Sequence, residues 1–196
     1  AAVLKLIAEI GYKEVEVQDG VYPLIHEMLA DLDLRITGYR LATPIVTGNW
    51  ELWEEFMKRI PGMGIDLERQ SFESAVEPAA LADAKHVVIS YLLPGERDSV
   101  DKLKTTIEQM NRCGEVCKKD GLTLCYHNHA SEFGPLEDTT AYDVLNQELD
   151  PNYVSWQIDV FWASVGGHDP VEIIRTLGSQ IASLHLKDKA AQTPQQ

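Results

Sequence analysis

The chain has 196 residues, 44% of them hydrophobic, which is enough for one domain with a real core and too few for two. Its formal net charge of −14 sets up a field that repels phosphate backbones and anionic lipid, so neither nucleic acid nor a membrane is an expected partner. The carboxylate surplus suits the solvated surface of a cytoplasmic enzyme, and no apolar run nears the roughly 20 residues of a bilayer span.

Ala1 to Ile10 reads as a helix already under way, with Val3, Leu4, Ile7, Ala8 and Ile10 apolar and no capping residue in front. The N-terminus lacks the zones of a signal peptide, although a leader upstream of residue 1 is left open. Gly11 ends the helix, Lys13 to Val17 is a first strand, Asp19-Gly20 a turn, and about Pro23 to Asp31 a second helix. Leu34 to Tyr39 is the next strand. Asn49 reads as the N-cap of a helix carrying Trp50, Trp53, Phe56 and Met57, with Glu51, Glu54 and Glu55 toward its positive end and Pro61-Gly62 as its stop. Gly64 to Ala84 is helical in composition but interrupted by Pro78, which predicts one or two short helices before a strand at His86 to Leu92.

A long helix follows from about Ser99 to Lys119, ended by Asp120-Gly121, and then a strand at Leu122 to His127. The helix carries Cys113 and Cys117 on one face; with Cys125 the cysteines are odd in number and lack a second pair for zinc, which fits a reduced compartment. Thr139 or Thr140 caps the next helix. Tyr153 to Asp159 is a strand, Asp169-Pro170 opens a helix with the acid as N-cap, and Ile181 to Leu186 is the last strand. A single domain over 1–189 is followed by a polar tail from Ala190 to Gln196.

Alternating strands and amphipathic helices are the signature of β/α units on a parallel sheet. A closed (β/α)8 TIM barrel takes about 250 residues. The fold class expected here is therefore α/β, an incomplete (β/α)8 barrel of about six parallel strands, with one strand expected before residue 1 and at least one β/α unit after Gln196. An open doubly wound sheet is the alternative that length alone leaves standing.

Three strand ends carry the chemistry. Tyr126-His127-Asn128-His129-Ala130-Ser131-Glu132-Phe133 puts two imidazoles, an amide and a carboxylate where a strand passes into its loop, the active edge of a β/α barrel. The bland reading makes these turn residues bonded to backbone, but a core has little use for so many polar groups in one place. Asp159, closing Trp156-Gln157-Ile158-Asp159, is either a hard-metal ligand or the N-cap of a following turn, and Phe161 and Trp162 beyond it either stack on a sugar or sit in the core. In His185-Leu186-Lys187-Asp188, His185 is a ligand candidate and Lys187 a substrate-anion candidate, whereas Asp188 reads as a turn cap. A mixed oxygen and nitrogen set of this kind, Glu132, Asp159 and His185, suits Mn²⁺, Mg²⁺, Co²⁺ or Zn²⁺. Glu16, near the end of the first strand, is a further polar contact or merely an exposed strand residue, and His168, in the Gly166-Gly167 loop, is a substrate contact or a turn residue. His26 and His86 read as structural.

These runs, together with Gly167-His168-Asp169-Pro170, resemble bacterial sugar phosphate isomerases/epimerases of the xylose isomerase-like superfamily, in order and across roughly residues 10 to 190. The resemblance implies a divalent metal at the barrel mouth held by Asp159, His185 and Glu132, with His127 or His129 as a competing ligand or proton carrier, and Glu16, Asn128, Trp162, His168 and Lys187 as substrate contacts. It implies a metal-dependent isomerase or epimerase working on a small keto-sugar or sugar phosphate through an enediolate. The alternatives are a lyase or dehydratase on a keto-sugar or 3-keto-glycoside, and a catalytically incomplete sugar-binding fragment. Endonuclease chemistry on nucleic acid occurs on the same fold, but the acidic charge and the shortage of ligands for a multi-zinc cluster count against it. A further glutamate is expected on the family's last strand, which lies beyond this sequence, so a truncated chain is expected to bind metal weakly and turn over little. The unpaired edges of an unclosed barrel leave a homo-oligomer open.

Overall fold

The structure, a computed structural model, describes residues 2–60 and 67–188. Six parallel strands lie in the order in which they occur along the chain: β1 (Glu14–Gln18), β2 (Arg35–Leu41), β3 (His86–Ile89), β4 (Thr123–His127), β7 (Val154–Asp159) and β8 (Ile181–His185). Between β4 and β7 sits a short antiparallel hairpin, β5 (Pro135–Leu136) with β6 (Thr139–Thr140). A doubly wound sheet reverses its strand order at a switch point, and this sheet never does. The six strands instead form a curled half-barrel, an incomplete barrel with helices on its outer face.

Nine helices are described: α1 (Ala2–Ile10), α2 (Tyr22–Asp31), α3 (Thr43–Thr47), α4 (Trp50–Lys58), α5 (Phe72–Leu81), α6 (Val100–Lys119), α7 (Ala141–Glu148), α8 (Val160–Val165) and α9 (Pro170–Leu177). Four helix-to-strand turns use one device. Gly11, Asp33, Asp83 and Gly121 all have positive φ, and Tyr12, Leu34, Ala84 and Leu122 then donate back to Ile7, Leu29, Ala79 and Cys117. Such closures satisfy the last helical carbonyls and aim the chain straight into the next strand. Ser71, Ser99, Thr140 and Asp169 cap their helices through side-chain oxygens, so of the two threonines considered above Thr140 is the cap.

The core lies between the sheet and the helices. Val87, Ile89, Leu124, Tyr126, Trp156 and Ile158 of the strands share one buried cluster with Leu103, Ile107 and Met110 of α6. Their alternates, Arg40, His86, Cys125, His127, Gln157, Asp159 and His185, therefore face the concave side. Cys113, Cys117 and Cys125 are free and buried, and burial pushes the Cys113 thiol up to about 12, which leaves it an inert packing group.

Several sequence expectations change. The strand predicted at His86 to Leu92 stops at Ile89, because Tyr91 turns away and its carbonyl accepts from the Thr43 hydroxyl of α3, a short helix the periodicity did not reveal. Asn49 stands at the N-cap position of α4 without capping it; its amide donates to the buried Glu96 at 2.8 Å. Val160–Val165 is a helix, not a turn, and Leu186 lies outside β8. Pro78 sits inside α5, where the predicted break does not occur. Pro61-Gly62, the start of the Gly64 segment and the polar tail lie outside the described residues.

Gly114 marks where α6 crosses closest to the start of β7. A Cβ there would stand 2.5 Å from the Tyr153 carbonyl oxygen. Replacing a mid-helix glycine by alanine ordinarily stabilises by about 0.5–1 kcal/mol. At this position overpacking, which costs about 1–3 kcal/mol, reverses the sign. Gly114→Ala should lower the urea midpoint and Tm; a rise in either would show that α6 does not pack against Tyr153 in this way.

Candidate active site

The polar side chains of the concave face gather at the C-terminal ends of β4, β7 and β8. Parallel register sets this up, since His127 pairs with Gln157 and Asp159 with His185. His127 Nδ1 lies 2.9 Å from Gln157 Oε1. That amide is held in one orientation, because its nitrogen donates to Glu16 at 2.6 Å and its oxygen accepts from Arg40 at 3.3 Å. An amide oxygen only accepts, so Nδ1 of His127 carries the proton and Nε2 keeps its lone pair. That Nε2 is 3.7 Å from Asp159 Oδ2, and His185 Nδ1 is 3.2 Å from the same oxygen.

Asp159 divides its carboxylate. Oδ1 accepts from the Trp162 amide at 2.8 Å and caps α8, while Oδ2 has no hydrogen-bond partner although the residue is fully buried. Both roles considered for this residue are thus open to it, one for each oxygen. His185 Nδ1 is likewise buried without a hydrogen-bond partner. One ligand atom each from His127, Asp159 and His185 lies within 4.8 Å of the others, the single such group among the described residues. Two imidazole nitrogens and a carboxylate oxygen fit a divalent transition ion, and an ion would satisfy the two orphaned atoms.

Glu132 stands outside this group. It is fully buried, with Oε1 accepting from the Tyr126 hydroxyl at 2.6 Å and Oε2 from the His129 amide at 2.9 Å and the Ser131 hydroxyl at 3.0 Å. Three residues beyond His129, it closes the short 3₁₀ turn Ala130–Phe133 as the return half of a capping box. Tyr126 and the local turn each bond one oxygen of the carboxylate that sequence had offered to the metal. It also fixes the backbone from which His129 projects.

His129 occupies the centre of the mouth. Its ring is 5.0 Å from that of His127, 5.4 Å from Trp162 and 5.6 Å from Tyr91, and its buried Nδ1 has no hydrogen-bond partner. Burial lowers its pKa, against the opposing pull of the Glu132 and Asp159 carboxylates, and so favours the neutral ring. Asn128 turns away from the mouth, with its amide exchanging hydrogen bonds with the Asp159 main chain at 2.9 and 3.3 Å, which extends the β4–β7 pairing by one side chain. Lys187 places its ammonium over the rings of Phe161 and Trp162, at 4.4 and 4.7 Å. His168 is exposed and stacks on Phe133 at 4.7 Å; Gly166 allows this loop approach, since a Cβ there would stand 2.7 Å from Phe133. His26 is exposed beside Tyr22, and His86 is half-buried at the opposite end of the sheet.

Glu16 pairs with Arg40, and both side chains remain partly exposed. Gly38 makes room for Glu16, whose Cγ would be 2.7 Å from any Cβ there. Arg40 escaped the sequence reading. Its signal was a charged residue next to the apolar Tyr39 and Leu41, and the parallel register, pairing Glu16 with Gly38 and Gln18 with Arg40, puts it on the face shared with Glu16.

A half-barrel carrying two imidazoles and a carboxylate at its strand ends defines a β/α-barrel protein with its polar site at the usual mouth. Residues 4–196 match the family described as xylose isomerase-like TIM barrel, and the chain belongs to that family. Similar solved structures include a sugar phosphate isomerase/epimerase from Parabacteroides distasonis ATCC 8503, with TM-score 0.76, 23% identity, and coverage of 98% of this chain and 72% of that one. D-psicose 3-epimerase in the presence of D-fructose gives a TM-score of 0.65 at 14% identity, covering 95% of this chain and 67% of that one. The IOLI protein with a bound zinc atom gives 0.61 at 16%, covering 94% and 66%. At such identities these likenesses speak for the fold alone. Among curated relatives, an inosose dehydratase from Geobacillus kaustophilus is 33% identical over 85 residues, 43% of this chain and 27% of the relative. One from Clostridium perfringens is 28% identical over 88 residues, and the chain covers 29% of its length. Among the described residues no helix is long and apolar enough to cross a membrane.

The buried His127 gives the site a pH signature. Burial first, then the nearby Arg40 charge, lowers its pKa from 6.5 to about 3. The unfolded chain takes this proton near 6.5 and the folded chain only near 3, so unfolding takes up a proton in between. The contribution to stability is complete above 6.5 and is lost as pH falls toward 3. Urea unfolding in EDTA at stepped pH should therefore show a shallower acid loss for His127→Gln than for wild type; equal slopes would mean that the folded histidine titrates normally.

Proposed function

We propose that the chain carries the metal centre of an enzyme that moves a proton at the carbon next to the carbonyl of a small keto-sugar. The observation that supports this most directly is the convergence of His127 Nε2, Asp159 Oδ2 and His185 Nδ1, two of them buried and otherwise unpartnered. In this reading His127, Asp159 and His185 hold a divalent ion such as Mn²⁺, Co²⁺ or Zn²⁺, and Glu132 positions rather than ligates. When bound, the ion supplies Lewis-acid polarisation of the carbonyl, which acidifies the neighbouring C–H.

The remaining work falls to side chains. His129, held neutral by burial and braced through Glu132, takes the proton from that carbon. Gln157, Glu16 and Arg40 keep His127 in the tautomer whose lone pair faces the site. Trp162 offers a flat apolar surface to a sugar face, with Lys187 held over it to meet substrate oxygens.

Delivery of a proton to the opposite face of the same carbon gives an epimer, and delivery to the adjacent carbonyl carbon gives an isomer. Loss of a hydroxyl from the other neighbouring carbon, as water, gives dehydration. The curated inosose dehydratases among the relatives favour keeping the dehydratase outcome as the second reading. Calorimetry with Mn²⁺, Co²⁺ and Zn²⁺ tests the centre. Asp159→Ala should weaken the preferred ion by at least about tenfold, whereas His168→Ala leaves it unchanged. Equal affinity in wild type and Asp159→Ala would overturn the proposed site. Deuterium exchange into a panel of ketoses and keto-inositols, followed by NMR, then separates epimer, isomer and dehydrated product; no metal-dependent exchange with any of them would sink the proton-transfer reading.

A further inference from the structure

Beside the three-residue group lies a cavity of about 630 Å³ that the proposed reaction does not use. Its walls come from the same edge of the half-barrel: Gln18 at the end of β1 with Asp19 beyond it, Leu41 at the end of β2, Tyr91 after β3 and His129 after β4, with Trp53 and Phe56 reaching in from α4. His129 lines the cavity and its ring lies 5.0 Å from that of His127, so the cavity borders the proposed centre. Ring contacts run without a break from one to the other. Trp53 meets Phe56 at 6.4 Å, Phe56 meets Tyr91 at 6.0 Å, Tyr91 meets His129 at 5.6 Å and His129 meets His127 at 5.0 Å.

The chemistry of the walls selects an occupant. No lysine or arginine is among the described lining residues, and the one charged group is the Asp19 carboxylate. A phosphate placed there would meet an acid and no cation. Arg97 lies near Tyr91, 5.8 Å from its ring, but is not part of the lining, and its guanidinium is committed to the Leu92 carbonyl at 3.1 Å. Aromatic side chains instead suit a flat, uncharged ring, which they contact by stacking or edge-on, and Gln18, Asp19 and Ser90 supply polar groups for hydroxyls. A free hexose at the centre would leave this volume to water.

We infer that this cavity is a subsite for an uncharged aromatic group attached to the sugar, so that the substrate class is an aryl glycoside whose sugar ring carries the keto group, rather than a free keto-sugar or a sugar phosphate. The inference rests on the reading that the sugar itself sits at His127, Asp159 and His185. Tyr91 is pinned for the purpose, with the Thr43 hydroxyl bonded to its carbonyl and its ring set edge-on to His129 at 86°.

The test is direct binding, with no turnover required. Phenyl β-D-glucopyranoside, methyl β-D-glucopyranoside and glucose 6-phosphate are titrated into the full chain by calorimetry, once with Mn²⁺ and once with EDTA. The phenyl glycoside should bind at least about tenfold more tightly than the methyl glycoside, and glucose 6-phosphate no more tightly than the methyl glycoside. Phe56→Ala and, independently, Trp53→Ala should bring the two glycosides to within about twofold, with circular dichroism confirming that each variant is folded. Asp159→Ala keeps the phenyl preference while losing Mn²⁺, so a failed metal centre and a failed subsite give different patterns. Equal affinity for the two glycosides, tighter binding of glucose 6-phosphate, no phenyl glycoside binding at millimolar concentration, or a preference that survives in both folded aromatic variants would each overturn the inference.

Discussion

Asp159 ends β7 with one carboxylate oxygen tied to the Trp162 amide and the other facing two histidines with no donor of its own. The first bond starts α8 and turns the chain away from the sheet. The second oxygen is left where low dielectric makes an unmatched charge costly. Nearby features bear on this one position. Asn128 clamps the Asp159 main chain from β4, and the in-register pairing with β8 brings His185 alongside. A buried acid with a free oxygen is tolerable where a cation can complete it, which ties the local fold to the chemistry proposed for it.

The concave face is organised as a relay behind that centre. Arg40 holds Glu16, Glu16 holds Gln157, and Gln157 fixes the proton on His127. Each link comes from a different strand, so the tautomer of one histidine depends on the relative placement of β1, β2, β4 and β7. Gly38 belongs to the same account, because a side chain there would displace Glu16. Glu132 spends one oxygen on the Tyr126 hydroxyl of β4 and the other on the turn that presents His129. The site thus separates groups that hold others in place from groups left free to meet a ligand.

Much of this was legible in the chain. The six strands, their β/α alternation and the polar strand ends at His127, Asp159 and His185 follow from hydrophobic period and turn chemistry, both local properties. Helix stops at Gly11 and Gly121 and the caps at Thr140 and Asp169 were equally readable, since the residues concerned act within a few positions of themselves. The resemblance to a known family added order to these motifs, and the fold agrees with it. Sequence is ambiguous where two local chemistries compete for one residue. Glu132 has the type and position of a ligand, but the His129 amide three residues back and the Tyr126 hydroxyl claim it first. Asn49 has the type of a cap, but a buried glutamate from another loop claims its amide.

Sequence by itself therefore determined the class of fold, the edge of the sheet that carries polar groups, and two of the three residues named for a metal that do converge, Asp159 and His185. Tertiary structure alone decided that, of the competing candidates, His127 and not Glu132 lies beside these two, that Arg40 and Gln157 set its tautomer, and that Trp53, Phe56 and Tyr91 wall a cavity beside it. The reason is physical. Periodicity and capping are fixed by contacts within one or two turns of chain, whereas the sharing of a carboxylate, the orientation of an amide and the meeting of rings from separate β/α units depend on distances that arise only when parallel strands settle into register.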